Sequence, residues 1–269
     1  MDTNRIGFIG CGNIADAIIG GMVSSGYIKS DAISVYDLDR AKAFRLSSTY
    51  GVAAAKSSAD IVKNCKYVFL TIKPQVYETV LDEISGFVTS VHCLVDVAAG
   101  ITTGYVKKQI GWECKVIRVM PNTPLLTGKG ASALVKCPPV SEEEFRFVRG
   151  AFDASGVTVE VEESMIDAVI AVSGSAPAFV FRFAKNIIES GVAAGLPQEA
   201  ATRLMAQTLI GSAHMILESG MSLDELIKMV SSPGGTTVAG LSAMDAAGFD
   251  QAVRDGADAS IARSVEMRR

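Results

Sequence analysis

Short, dense apolar runs recur through the first half of the chain, at Arg5–Gly10, Ile33–Asp37, Tyr67–Ile72, Cys93–Val97, Lys115–Met120, Ala131–Val135 and Val157–Val161. Continuous runs of this length suit strands buried on both faces of a parallel sheet. Between the early ones, Ile14–Ser24, Arg40–Tyr50, Val76–Gly86 and Thr103–Ile110 read as helices. Strand and helix alternating in this way predict a doubly wound α/β layer with right-handed crossovers. A further helix, Ser141–Ser155, opens with the acidic turn Glu142–Glu144, which suits a helix N-terminus. Beyond about Ser164 the period changes and only helical spacing remains. One helix is expected over Ala176–Gly191, and the next opens with Pro197 in its first turn. Ala201, Leu204, Met205, Thr208, Leu209, Ser212, Met215 and Ile216 then fall on one face. Small residues nearby, such as Ala206 and Gly211, allow helices to approach closely. A short helix, Leu223–Val230, and a last one over Thr237–Arg268 with a break near Gly248 complete the pattern. The change of period near Glu163 predicts two domains, residues 1–163 and 164–269, with no flexible tether between them.

Composition narrows the classes. The 269 residues are 49% hydrophobic and 20% charged, an ordinary globular balance. A net charge of −4 argues against a nucleic-acid partner, which would need a basic face. No signal-like segment precedes the first strand, and no uninterrupted apolar run reads as long enough to span a bilayer. The five cysteines (Cys11, Cys65, Cys93, Cys114 and Cys137) are scattered, as are His92 and His214. That pattern predicts reduced thiols, no metal site, no membrane partner and a cytoplasmic location.

The first strand runs directly into Gly10-Cys11-Gly12-Asn13-Ile14-Ala15, a G-x-G-x-x-A that opens a helix. In that context it is a dinucleotide fingerprint, which makes the first domain Rossmann-like. Gly10 permits the tight turn, Gly12 lets the backbone approach a pyrophosphate, and Ala15 keeps helix and strand close. The pyrophosphate would rest on the N–H groups around Cys11, Asn13 and Ile14 at the helix start. Asp37 ends the second strand about 20 residues on, where an acid binds the adenine ribose of NADH. Arg40 and Lys42 follow and could hold the 2′-phosphate of NADPH instead, and Asp37 could also cap the next helix. NADPH and NADH both remain open. Two further loops lie past strand ends where a nicotinamide belongs: Thr71-Ile72-Lys73-Pro74 and Ala98-Ala99-Gly100. Small residues in the second would let the ring approach the backbone.

Taken together, these motifs resemble the pyrroline-5-carboxylate reductase family. The resemblance is carried by "IGFIGCGNIADAIIGG", Lys73-Pro74, Ala98–Gly100, "RVMPNTP" at Arg118–Pro124, "SGSAPAF" at Ser173–Phe179, "AQTLIGSAHMI" at Ala206–Ile216 and "SSPGGTT" at Ser231–Thr237. It implies a Rossmann-like domain followed by an all-α dimerisation domain that interlocks with a second subunit, and larger assemblies of such dimers. This chain departs from the family pattern in having Ala176 and Phe179 where glycine and tyrosine are usual. Ser58 stands where some members place an asparagine near the adenosine.

The implied substrate is a small cyclic imine with one carboxylate, reduced to L-proline by NAD(P)H. Such a reaction needs a hydride donor, a seat for the carboxylate and a proton for nitrogen. Ser232, Gly234, Gly235 and Thr236 can form a nest of inward N–H groups at a helix start, which binds a carboxylate without an arginine. The Thr237 hydroxyl can orient the imine nitrogen or relay a proton. Capping alone would also favour Ser232 and Thr237. Ser173, Ser175 and Pro177 could line the opposite wall. Asn122 and Thr123 lie at a strand end, supporting either the nicotinamide or the domain junction, and Pro121 and Pro124 also read as a rigid turn. Two other readings share the fingerprint: a β-hydroxyacid or F420-linked dehydrogenase, for which Lys185 and Lys228 are present but in no matching motif, and a non-catalytic NAD(P)-binding protein.

Overall fold

The computed structural model describes residues 4–269. Its strands are β1 (Ile6–Ile9), β2 (Ile33–Tyr36), β3 (Ala53–Ala54), β4 (Tyr67–Leu70), β5 (Cys93–Asp96), β6 (Lys115–Met120), β7 (Gly130–Lys136) and β8 (Gly156–Glu160). They form one sheet in the order β3-β2-β1-β4-β5-β6-β7-β8. The sheet is parallel from β3 through β6. β7 runs antiparallel to β6, and β8 is again parallel to β7. This antiparallel pair is where the sheet departs from the all-parallel expectation. The connection from Met120 to Gly130 holds only a short turn, and a parallel return needs about a dozen residues or more.

Helices α1 (Asn13–Ser24), α2 (Arg40–Tyr50), α3 (Ser58–Asn64), α4 (Tyr77–Ser85), α5 (Thr103–Ile110) and α6 (Glu142–Asp153) link the strands. Successive strand residues serve opposite faces, as strand geometry requires. Tyr67 and Phe69 pack with α1 and α6 through Ile18, Phe145 and Phe152. Val68 and Leu70 pack with α4 and α5 through Leu81, Ile84 and Val106. Phe69 stacks on Phe8 with ring centroids 4.7 Å apart. α6 starts with a capping box, Ser141 accepting from the Glu144 N–H while Glu144 accepts from Ser141. The Glu144 carboxylate is buried against Lys66 and Lys115, at 3.3 Å and 2.8 Å.

Beyond β8, α7 (Ile166–Val169) runs through a π turn, Ile170–Gly174, into α8 (Ala176–Ala193). Then come α9 (Gln198–Glu218), α10 (Leu223–Met229), α11 (Thr236–Ala246) and α12 (Phe249–Glu266). By packing, one unit takes the chain up to Ser175 together with Ser260–Arg269, and a second takes Ala176–Ala259. The packing division therefore lies past the change of period near Glu163, and the chain returns to the first unit at its far end.

Glu163–Ala193 forms a continuous helical run of 31 residues whose most apolar window has mean hydropathy 1.6, long and apolar enough to cross a membrane by length and composition. Ser173, Gly174 and Ser175 do not interrupt it, because the π turn carries the hydrogen bonding across them; Ser175 N–H donates to Ile170 O at 2.7 Å. In the second unit, taken as a single chain, only Ala201 and Met205 among the described residues are buried apolar side chains. Phe181, Leu204 and Leu217 stand 66%, 61% and 81% exposed. Helices with this composition and no core of their own require a covering surface.

Candidate functional site

The strand order reverses at β1, with β2 on one side and β4 on the other, so the crevice opens beyond their carboxyl ends. Gly10 lies at its floor with φ +100°, and a Cβ there would stand 2.4 Å from Thr71 O. The Thr71 hydroxyl donates to Gly10 O at 2.7 Å, tying this turn to the loop after β4. Gly12 caps α1 with no side-chain partner, and a Cβ added there would meet nothing within 4 Å. The chain itself therefore makes no steric demand for glycine at 12, and the space in front of it is open. Gly12 and Asn13 are exposed and Ile14 is half-buried, and first-turn N–H groups such as theirs have no partner within the helix.

Two expected cofactor contacts turn away. The Cys11 thiol is fully buried, and burial pushes its pKa up to about 12. Its N–H already donates to Asp37 Oδ2 at 2.8 Å. Ser58 is buried under α4, and its hydroxyl donates to Glu83 Oε2 at 2.7 Å. It sits inside the first turn of α3, whose cap is Ser57, accepting from the Asp60 N–H. Asp37 is also not a helix cap. Its Oδ1 accepts from Asp39 N–H, and Asp39 itself caps α2 by accepting from Ala41 N–H. Asp37 thus braces the glycine turn from β2, with Arg40 exposed just beyond it.

At the nicotinamide end, Lys73 is exposed, Ile72 is half-buried and Pro74 starts a single 3-10 turn. In the loop after β5, Ala98 is buried and Ala99 half-buried. Gly100 is glycine for a different reason from the one expected. It has φ +79°, and a Cβ there would lie 2.7 Å from Met267 O. The end of the chain packs on this loop: Arg269 N–H donates to Gly100 O, and the Thr102 hydroxyl donates to Arg269 O. Asp167 holds the same segment through Ser264 and Arg268. Sequence patterning gave no sign of this return.

Behind the two loops lies a second group that sequence reasoning missed. Asp96, at the end of β5, is fully buried and accepts from Ala98 N–H at 2.9 Å. Tyr77 of α4 is hydrogen-bonded to Asp96 Oδ1 and to Leu70 O. Burial pushes the Asp96 carboxyl up to about 7 against the Tyr77 and Ala98 hydrogen bonds and the Arg118 charge. A single acid within an apolar run carries no pattern to reveal this.

Asn122 is a bridge. Its Oδ1 accepts from Ala131 N–H at 2.9 Å and its Nδ2 donates to Ser173 O at 3.3 Å, joining the β6–β7 turn to the π turn. The Ser173 hydroxyl leans on Ala131 O at 3.4 Å, and Ser175 is half-buried beside it. Thr123 and Pro124 start the 3-10 turn Thr123–Thr127.

The second unit carries the other candidate group. Ser232, Pro233, Gly234 and Gly235 form a tight turn in which Gly235 N–H donates to Ser232 O at 2.9 Å. Pro233 at the second position and Gly234 with φ +71° at the third are the residues a type II turn demands. Gly235 then serves as the cap of α11, with no side-chain capping bond. Capping therefore does not explain Ser232 or Thr237. The N–H groups of Thr236, Thr237 and Val238 open the helix unsatisfied, as first-turn donors are, and the Thr237 side chain is half-buried next to them. Lys185 is paired with Glu189 at the surface and Lys228 is exposed, which suits neither as the buried lysine of a hydroxyacid dehydrogenase.

The model for pyrroline-5-carboxylate reductase dimerisation matches residues 163–267. Over 93% of both chains, the sequence is 36% identical to the pyrroline-5-carboxylate reductase of Escherichia coli. The chain belongs to the pyrroline-5-carboxylate reductase family. A model for coenzyme F420-dependent NADP oxidoreductase matches residues 5–100 and thus covers the dinucleotide half only. The pyrroline-5-carboxylate reductase of Coxiella burnetii superposes with TM-score 0.91 at 29% identity, over all of both chains. That of Plasmodium falciparum, in a crystal structure with NADP bound, also gives 0.91, at 27% identity over all of both. The matched dimerisation model spans the bare helices and supports self-association of the chain.

Proposed function

We propose that this protein reduces 1-pyrroline-5-carboxylate to L-proline with NAD(P)H, the last step of proline biosynthesis. The observation that carries this reading is the pairing of two motifs on one family-matched chain. One is an open glycine turn at the sheet's switch point, and the other is an uncapped, glycine-built helix start at residues 232–237. The residues fit a dinucleotide: the space before Gly12 is left open by the chain itself, and the α1 N-terminus is not capped by any side chain.

When bound, the cofactor supplies the hydride. The chain's own work is positioning. The backbone around Gly12, Asn13 and Ile14 holds the pyrophosphate, and Arg40 stands where it can meet the adenosine end. Residues 71–74 and 98–99 flank the nicotinamide. The N–H groups of Thr236 to Val238 hold the substrate carboxylate, where the helix dipole adds to their attraction. The Thr237 hydroxyl orients the imine nitrogen, and Ser175 lines the pocket wall. An interlocked homodimer is part of the proposal, supported by the exposed apolar helices of the second unit. So is a cytoplasmic location, supported by five free cysteines. Purified protein should oxidise NADPH or NADH only when the imine is supplied. No turnover with either cofactor overturns the assignment, and an NADPH-against-NADH rate comparison sets the preference.

A further inference from the structure

Leu70 and Asp96 stand directly opposite each other in the β4–β5 register, each the last residue of its strand. The loops that follow them hold residues 71–74 and 98–99, the two groups assigned above to the nicotinamide. Between the strand ends sits Tyr77, fully buried, with its Oη 2.9 Å from Leu70 O and also in hydrogen-bond contact with Asp96 Oδ1. Two hydrogen bonds therefore converge on one hydroxyl, which carries one proton. With Asp96 ionised, one of these contacts would press two bare oxygen acceptors together inside the protein. With a proton on Oδ1, both contacts are satisfied. Asp96 donates to Tyr77, Tyr77 donates to Leu70 O, and Oδ1 still accepts from Ala98 N–H.

The other carboxyl oxygen gives independent support. Asp96 Oδ2 is buried and has no hydrogen-bond partner. A neutral carbonyl oxygen tolerates that at modest cost, whereas a carboxylate oxygen with a share of the charge does not. We propose that Asp96 is a positioning residue, kept as a neutral carboxylic acid, which through Tyr77 fastens the loop after β4 to the loop after β5. The clasp rests on the reading of those loops as the nicotinamide seat. Burial raises the Asp96 pKa to about 7 and holds that of Tyr77 well above the ordinary phenol value, so below neutral pH both groups are uncharged together. The charged groups that face Asp96 are Arg118 of β6, which opposes protonation, and Glu163 ahead of α7, which favours it; they are 3.1 Å apart and largely spend their charge on each other.

Two measurements test the clasp. Carbon-13 NMR of wild-type protein labelled at aspartate carboxyls should show one carboxyl titrating near neutral pH, absent in Asp96→Asn. All carboxyls titrating in the ordinary acidic range overturn the proposal. NADH binding, followed by nicotinamide fluorescence, should weaken between about pH 6 and about pH 9 in wild type, approaching tenfold per pH unit past the transition. NADH avoids the 2′-phosphate, which titrates in the same range. Asp96→Asn cannot both donate to Tyr77 and accept from Ala98 at one atom. It should bind NADH about tenfold more weakly at the acid end, with no further loss as pH rises. Wild-type affinity that is flat with pH, or the same slope in Asp96→Asn, overturns the clasp while the dinucleotide site stands. Binding of neither NADH nor NADPH by wild type at any pH overturns the site itself and the clasp's role with it.

Discussion

Gly10 and Gly12 are two residues apart and are glycine for unrelated reasons. At 10 the backbone takes φ +100° and a Cβ would collide with Thr71 O, so the demand comes from the chain. At 12 nothing lies within 4 Å, so the demand comes from what the chain binds. Gly12→Val should therefore leave the unfolding temperature near wild type while abolishing NAD(P)H binding. Gly10→Ala should destabilise the protein by at least about 1 kcal/mol through strain at positive φ and the close contact. Calorimetry and a cofactor titration on both variants check this pair. The same logic applies at Thr237, whose hydroxyl caps nothing. Thr237→Ala should lower kcat about tenfold to a hundredfold, the loss of one well-placed hydrogen bond in the transition state. Cofactor affinity should stay at the wild-type value, and unchanged steady-state kinetics would remove Thr237 from the mechanism.

Elements show why some of this architecture was legible and some was not. α2 and α5 fall where their sequence boundaries place them, because Asp39 and Thr102 are capping residues directly ahead of helical spacing. β3 is two exposed alanines and α3 a single short helix with β-branched Ile61 and Val62 on its inner side, so neither carries a periodic signal. The glycine turn and the residue 231–237 turn were visible because backbone conformations there restrict residue type. Ser58 and Cys11 were misplaced because spacing fixes their position along the chain but not which way they point. Asp96 and the returning chain end depend on partners distant in sequence, which no local pattern records. α6 supplies a pH test at this scale. Burial alone would raise Glu144, but Lys115, the Ser141 N–H and hydroxyl together hold it down at about 2. Its contribution is complete above the unfolded value of about 4.5 and is lost as pH falls from there toward about 2. Glu144→Gln should cost about 1–3 kcal/mol at neutral pH and flatten the acid limb of the stability profile. Urea unfolding across that range, at fixed protein concentration, measures both.

For the molecule as a whole, the second unit sets the terms of assembly. Its α8 and α12 form a cleft of about 550 Å³ lined by Phe179, Phe183, Ile187, Phe249 and Val253. Phe183→Asp should shift the protein in size-exclusion chromatography from dimer or larger toward monomer, with turnover falling in step; an unchanged elution volume would place the self-association surface elsewhere. The return of Ser260–Arg269 to the first unit sets an order of events in synthesis. The N-terminal unit emerges from the ribosome first, yet its Gly100 loop waits for a segment that follows the whole of Ala176–Ala259. At about 5–20 residues per second, that leaves several seconds in which all eight strands have been made but the Gly100 loop lacks its packing partner, with apolar helices still arriving behind it. A ribosome pausing within that stretch would prolong an unfinished intermediate, so chaperone demand during translation should concentrate there and not at the glycine turn.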